Sequence, residues 1–237
     1  MPIFRLTQDI VFPNPLLAEP DGLLAVGGDL SLQRLFLAYE NGIFPWFADD
    51  MGRYFWYAPN PRAVVYPSQV YVSRSMRKVL EKRMFRITFD ACFEEVMARC
   101  ATHPRRGQEG TWLNDDFVEA YSRLHLLGFA HSVEVWLGNE LVGGLYGVSL
   151  GRSFFGESMF AQVSNASKAG FIGLARHLQH WQFRLIDCQQ DTAHLRSLGA
   201  VSIRLEDYLS ELEVALSEEP PASNWVFEEH IGYGLLA

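Results

Sequence analysis

Three side chains in this chain have surroundings that call for chemistry: Glu157, Asp187 and Gln189. Glu157 lies in the stretch Ser153–Phe160 (SFFGESMF), which reads as a strand because aromatic and apolar residues dominate it. Strand side chains alternate faces, so Phe155, Glu157 and Met159 are expected on one wall and Phe154, Ser158 and Phe160 on the other. A charge left on such a wall costs roughly several kcal/mol unless a cation or several donors meet it. The stretch therefore reads as an apolar slot with one anionic anchor. Asp187 and Gln189 share the face of a second apolar run, Phe183–Gln189, at the C-terminal end of what reads as an internal strand. A carboxylate beside an amide there either knits strand to helix by hydrogen bonds or serves a reacting group.

The elements that must hold these residues follow from periodicity. Residues 141–149 and 153–160 pair as a hairpin turned at Gly151-Arg152, and Gly143, Gly144 and Gly147 in the facing strand predict the close approach of a backbone or ligand. Before it, His131–Leu137 alternates with period two and turns at Gly138-Asn139. After it come a helix from Ser164 or Asn165 to about Trp181, the strand ending at Gln189, a short helix His194–Ser197, a strand Val201–Leu205 and a helix Glu206–Leu216. A three-strand meander, then helix, strand, helix, strand, is an α+β mixed sheet in the order of the acyl-CoA N-acyltransferase (GNAT-like) fold. Acetyl-CoA enzymes of that fold hold pyrophosphate on a Gln/Arg-x-x-Gly-x-Gly/Ala loop ahead of the helix. The corresponding residues here, Phe160–Ala166 (FAQVSNA), lack the glycines, so a different activated acyl group is expected.

The first 61 residues read as a small separate α/β domain, with 62–237 as the GNAT-like domain, because Pro59-Asn60-Pro61 breaks the chain between them. Gly27-Gly28 with Ser31 reads as a tight turn and N-cap, since neither Walker nor dinucleotide spacing is present. Leu32, Leu35, Phe36 and Tyr39 share one face of the following helix, which stops at Gly42. Ile43–Phe47 (IFPWF) reads as a partly exposed aromatic loop, either a plug between domains or a lid over a ligand. Asp90 reads as the N-cap of a helix through Ala101, and Asn114–Leu127 as a helix with Phe117, Ala120, Tyr121 and Leu124 facing in.

Charge is unevenly spread. The net charge is −8, yet residues 62–106 hold ten Lys and Arg against four Asp and Glu, while eight acids and no Lys or Arg follow Arg204. The predicted helix Ser73–Arg83 concentrates Arg74, Arg77, Lys78, Lys82 and Arg83, a stripe that is either a solvated face or a set of phosphate contacts. Three cysteines give no disulfide framework, and the scattered histidines give no metal-ligand spacing, so no metal is expected. No leader pattern opens the chain and no apolar run is long enough to span a bilayer, which predicts a cytoplasmic location without membrane contact. With no amphipathic surface left over, a monomer is expected.

Several long motifs occur together in register: GLLAVGGDLS (22–31), GIFPWF (42–47), SRSM (73–76), AHSVEVW (130–136), LVGGLYGV (141–148), GESMF (156–160), NASK (165–168), IDCQ (186–189) and SLGA (197–200). In these motifs the chain resembles the leucyl/phenylalanyl-tRNA–protein transferase family over about residues 12–208. The resemblance implies a bacterial cytoplasmic enzyme that moves Leu or Phe, and less well Met, from aminoacyl-tRNA to proteins with N-terminal Arg or Lys, marking them for N-end-rule degradation. It implies Asp187 and Gln189 as the catalytic residues, with Gln189, oriented and polarised by Asp187, engaging the acceptor's α-amino group. Glu157 would hold the donor's α-ammonium, and Trp46 would stack on the 3′-terminal adenosine. Phe155, Met159 and Phe171 would line the amino-acid pocket, with Tyr39, Trp112 and Ser158 completing the donor site. Arg74, Arg77, Lys78, Lys82 and Arg83 would hold the acceptor stem. Because the ester is already activated, no cofactor is implied. Where the family usually has Asp in a Pro-Asp-Pro-Arg motif, this chain has Asn60. Two rival readings are an acetyl-CoA-type N-acetyltransferase and a non-catalytic binder of tRNA or basic N-termini.

Overall fold

The computed structural model describes residues 3–102, 115–220 and 224–234. The chain begins with a four-stranded sheet built from β1 (Phe4–Leu6), β2 (Leu23–Gly27), β3 (Phe44–Ala48) and β4 (Tyr54–Tyr57), in the order β1-β2-β4-β3. Helix α1 (Leu32–Glu40) connects β2 to β3, and the Ser31 side chain caps its start by accepting from the Arg34 N–H. The Ile43–Phe47 stretch, expected as a loop, is strand β3 at the edge of this sheet, with Phe44 and Pro45 buried. An edge is where a sheet tolerates the missing N–H of Pro45. Beyond Pro59-Asn60-Pro61 every strand belongs to a second sheet.

That sheet has seven strands: β5 (Arg62–Val65), β6 (Arg86–Phe89), β7 (Ala130–Leu137), β8 (Glu140–Leu150), β9 (Ser153–Ala161), β10 (Leu185–Gln189) and β11 (Val201–Ile203), in the order β11-β5-β10-β9-β8-β7-β6. Strands β7, β8 and β9 form the expected antiparallel meander, and β10 lies parallel to β9 after helix α5 (Ala166–His180). This mixed α+β sheet therefore follows the GNAT-like order of elements. Strands β5 and β6, which periodicity does not assign, extend it on either side.

Helices cover both faces. On one face lie α3 (Phe93–Thr102), α4 (Asp115–Leu126) and, after α6 (Ala193–Arg196), α7 (Leu205–Ser217), in one hydrophobic core with α1 and the first sheet. On the other lie α2 (Arg74–Glu81), α5 and the segment around α8 (Glu229–Gly232). Burying both faces explains why β7 and β8 are inaccessible along most of their length instead of alternating in and out. The glycines of β8 serve packing: a Cβ on Gly143 would stand 2.7 Å from the Ala166 Cβ at the start of α5, and one on Gly147 would stand 2.2 Å from the Phe155 carbonyl oxygen.

The start of α3 differs from expectation. Asp90 is not its cap: its carboxylate accepts from the Ser132 N–H at 2.8 Å and lies 2.7 Å from His131 Nδ1. The N–H groups of Ala91 and Cys92 donate instead to the buried carboxylate of Glu134 on β7, which also takes the hydroxyls of Thr88 and Ser132. A carboxylate delivered from a neighbouring strand meets the positive helix end as a local cap would.

Candidate active site

Three β-bulges shape the site. In β9 the register jumps from Tyr146↔Ser158 to Gly147↔Gly156, leaving Glu157 as the extra residue. The residue faces therefore exchange across it: Phe155 packs with Tyr39 in one core, whereas Met159 packs in the opposite core with Phe154. The expected common wall of Phe155, Glu157 and Met159 does not form, because a bulge shifts the two-residue period by one. In β10 the register jumps between Asp187 and Gln189, with Cys188 extra, and in β3 it jumps between Pro45 and Phe47, with Trp46 extra.

The parallel pairing of β9 and β10 ends at Phe155↔Asp187. Beyond that point a cavity of about 1030 Å³ lies between Gly156–Ala161 on one side and Cys188–Leu195 on the other. Leu145, Phe154, Met159, Phe160, Phe171 and Ile186 make much of its lining apolar. Trp46, half-buried and edge-on to Tyr57 at 4.5 Å between ring centres, stands at the cavity with Phe44 and Pro45.

Among the polar side chains of the cavity wall, Glu157 and Gln189 are joined directly and tied to two tyrosines behind the wall. Glu157 Oε1 accepts from the Tyr39 hydroxyl at 2.9 Å and from Gln189 Nε2 at 3.0 Å, and its Oε2 accepts from the Tyr121 hydroxyl at 3.0 Å. Burial pushes the Glu157 carboxyl up to about 7, against the opposing pull of these two hydroxyls. Because Gln189 turns its amide nitrogen to Glu157, its carbonyl oxygen remains to accept a hydrogen bond. Cys188 lines the same cavity, and burial followed by the charge of Asp187 raises its pKa, so it stands there as a thiol.

Asp187 does not reach the cavity. It is fully buried behind it, paired with Arg62 through Nε at 2.8 Å and Nη2 at 2.6 Å, and it accepts the Tyr208 hydroxyl at 2.8 Å. Its Oδ1 also accepts the backbone N–H of Gln189 at 2.8 Å. The expectation that Asp187 polarises the Gln189 amide is thus corrected: the contact is to the main chain, and the amide itself faces Glu157. The Arg62 guanidinium lies over the rings of Phe44 and Tyr208, at 4.8 and 4.7 Å. Arg62 is buried and so drops out of the positive face inferred from the charge count. Next to it, Asn60 Oδ1 accepts the Leu205 N–H at the start of α7, a contact that needs an oxygen and no charge.

Among the expected site residues, Trp46, Glu157, Ser158, Met159, Phe171 and Gln189 line the cavity. Tyr39 supports Glu157 from behind, Phe155 is buried in the core beneath Tyr39, and Trp112 lies outside the described residues. Arg74, Arg77, Lys78, Lys82 and Arg83 are all exposed on or just after α2, which packs against α5, the helix whose Ser167 and Phe171 line the cavity. Three residues were missed. Arg62 was the cation that a buried Asp187 requires; Tyr121 was read only as part of an apolar helix face, and Tyr208 went unremarked within the helix Glu206–Leu216.

A family model described as leucyl/phenylalanyl-tRNA protein transferase matches residues 64–213, and one for the N-terminal domain of the same family matches residues 28–60. The chain belongs to the leucyl/phenylalanyl-tRNA–protein transferase family. A leucyl/phenylalanyl-tRNA–protein transferase of Cellvibrio japonicus is 54% identical over 211 residues, covering 88% of each chain. One from Solidesulfovibrio magneticus is 49% identical over 226 residues, covering 95% of this chain and 91% of that one. A solved GCN5-related N-acetyltransferase from Kribbella flavida aligns with a TM-score of 0.33 at 12% identity, over 70% of this chain and 59% of that one. As a member of this family the chain is an enzyme, an aminoacyltransferase. Within it, the loop that would cradle pyrophosphate in an acetyl-CoA enzyme gives the N–H groups of Gln162 and Val163 to the Val142 carbonyl. Among the described residues no helix is long and apolar enough to cross a membrane, and no group of three or more His, Cys, Asp or Glu could hold a metal ion.

Proposed function

We propose that the cavity receives the aminoacyl end of a charged tRNA and transfers its leucyl, phenylalanyl or, less well, methionyl group to proteins with N-terminal Arg or Lys. The observation that carries this reading is the polar pair Glu157–Gln189 set in the wall of an otherwise largely apolar cavity. The donor's side chain fills the part lined by Leu145, Phe154, Met159 and Phe171, where shape alone separates groups unbranched at Cβ, such as those of Leu, Met and Phe, from β-branched ones. Its α-ammonium meets Glu157. The terminal adenine stacks on Trp46, a half-buried ring of the kind that binds an unpaired base. The acceptor stem lies on α2, where Arg74, Arg77, Lys78, Lys82 and Arg83 contact phosphates without reading sequence.

The reaction is aminolysis: the acceptor's amine attacks the ester carbonyl, a C–N bond forms, and the tRNA ribose oxygen leaves with a proton. An activated ester needs orientation and management of that proton more than it needs new bond energy. Gln189 accepts a hydrogen bond from the attacking amine on its carbonyl oxygen and aims the nitrogen lone pair at the ester. Asp187, Arg62 and Tyr208 hold the backbone from which Gln189 projects. The product would mark its carrier for N-end-rule degradation in the cytoplasm.

Incubation with tRNA charged with labelled Leu or Phe and a peptide beginning with Arg tests the reading. Labelled peptide is expected, and none from a peptide with an acetylated N-terminus. Binding of charged tRNA without transfer, or labelling from acetyl-CoA instead, would overturn it.

A further inference from the structure

The oxygens of Tyr39, Tyr121 and Glu157 close a triangle. Tyr39 and Tyr121 hydroxyls are 2.5 Å apart, Tyr39 is 2.9 Å from Glu157 Oε1, and Tyr121 is 3.0 Å from Oε2. Three oxygen–oxygen contacts at hydrogen-bond distance need three protons, and two hydroxyls supply two. With Glu157 ionised, one contact sets lone pair against lone pair. With Glu157 protonated, the cycle closes: Oε2–H donates to Tyr121, Tyr121 to Tyr39, and Tyr39 back to Oε1, which also takes the Gln189 amide.

We propose that these three residues form a ring that stores one proton on Glu157 while the donor site is empty, and that the ammonium group of the aminoacyl donor displaces it. This rests on the reading of the cavity as the donor site. Atoms balance simply: the carboxyl O–H breaks, the proton leaves to solvent, and the carboxylate takes the donor's N–H groups.

The surroundings fit. Tyr39 on α1 and Tyr121 on α4 are buried, and burial first, then the Glu157 charge, raises their pKa well above the usual tyrosine range, so neither gives up its proton instead. Burial pushes Glu157 itself up to about 7 even against the pull of both hydroxyls donating to its carboxylate, and in the closed ring Tyr121 turns from donor to acceptor, so that pull is halved. From β8, Tyr146 faces Tyr121 edge-on at 5.7 Å. From β10 the charge of Asp187 raises the Glu157 pKa, from β5 that of Arg62 lowers it, and the two neutralise each other in their ion pair; Tyr208 on α7 completes that pair. Tyr121 thus acts as a positioning residue that sets the protonation state of the group meeting the donor.

The test uses the whole chain and a stable donor mimic, adenosine carrying phenylalanine on its 3′ position through an amide. Calorimetry at about pH 6, where an α-amine is an ammonium, in two buffers of different protonation enthalpy counts the protons exchanged. Nearly one proton released per mimic bound is expected for the wild type, and none for a mimic whose α-amine is replaced by hydrogen. Tyr121→Phe opens the ring and leaves the carboxylate two donors, Tyr39 and Gln189, so release should fall below half. If Tyr121 served only as a donor to the carboxylate, its loss would raise the Glu157 pKa and hold release at nearly one proton. Binding to the wild type without proton release, or undiminished release from Tyr121→Phe, overturns the ring. Failure of the wild type to bind the mimic at all overturns the donor-site reading instead. Infrared difference spectra between ligand-free wild type and Glu157→Gln give a check independent of the tyrosine variant. A protonated carboxyl stretch at about pH 6 is expected; carboxylate bands alone would overturn the proposal.

Discussion

Asp187 acts on Gln189 through the main chain: its Oδ1 accepts the Gln189 N–H at 2.8 Å while the Gln189 side chain turns away to Glu157 at 3.0 Å. Gln189 has a φ of 61°, a left-handed backbone that costs a non-glycine residue roughly 1 kcal/mol or more. The Asp187 hydrogen bond and the neighbouring bulge hold it there, which under the proposed function makes Asp187 a positioning residue and Gln189 the group offered to substrate.

Asp187→Asn leaves Arg62 a buried cation with no counter-charge. A loss of about 3–5 kcal/mol in stability is expected from denaturant unfolding. Single-turnover transfer should fall about 10²-fold while the Kd for charged tRNA changes only a few-fold. Equal losses in rate and affinity would contradict the positioning role.

Trp46→Ala removes the ring on which the proposed function stacks the terminal adenine. A loss of about 1–3 kcal/mol in donor binding is expected, seen as a rise in KM for charged tRNA with the chemical step largely kept. A Phe replacement should restore most of it.

Lys78→Ala with Lys82→Ala removes two exposed cations from α2. Affinity for tRNA should weaken alike for leucine and phenylalanine carriers, and the slope of log affinity against log salt should flatten by about 0.9 for each phosphate left without its cation. Binding of the short aminoacyl-adenosine mimic, which does not extend to α2, should not change.

Glu157 binds its proton more tightly in the folded protein than in the unfolded chain, its pKa rising from 4.5 to about 7. Between those values the folded state holds more protons, so this group's contribution to stability is greatest below 4.5 and is lost as pH rises toward 7. Glu157→Gln should remove that slope. Relative to wild type, the variant should gain on the order of 1–3 kcal/mol between about pH 4.5 and 8, measured by denaturant unfolding.

Gly147→Ala would drive a Cβ into the Phe155 carbonyl oxygen at 2.2 Å. The bulge that presents Glu157 depends on that close approach. A stability loss of roughly 3 kcal/mol or more is expected, with a lower Tm and a matching loss of donor binding.

Most of the architecture was legible because it rests on periodicity. The meander, its turns at Gly138-Asn139 and Gly151-Arg152, helix α5 and the order of later elements all follow from alternation and stop signals in the chain. The site was legible by residue type but not by direction. Glu157, Cys188 and Trp46 each sit at a register jump, and a strict two-residue period misplaces whatever lies beyond one, as it did for Met159 relative to Phe155. The partners of Asp187 were hidden for another reason. Arg62 and Tyr208 stand 125 and 21 residues away, and Arg62 sits on a four-residue strand, second from one edge of the sheet, that carries too little pattern to announce itself.

Helix α1 and strand β3 belong to the first sixty residues, yet they bring the Tyr39 hydroxyl to Glu157 and the Trp46 ring to the cavity. A fragment starting at Arg62 would keep every strand of the larger sheet, the basic helix and the Asp187 ion pair, while the Tyr39 hydroxyl and the Phe44–Trp46 side of the cavity would be gone. Under the proposed function the smaller part of the chain is a wall of the donor site, so swapping it between relatives should change the grip on the adenosine end of the donor and leave the choice between leucyl and phenylalanyl, made by Leu145, Phe154, Met159 and Phe171, where it was.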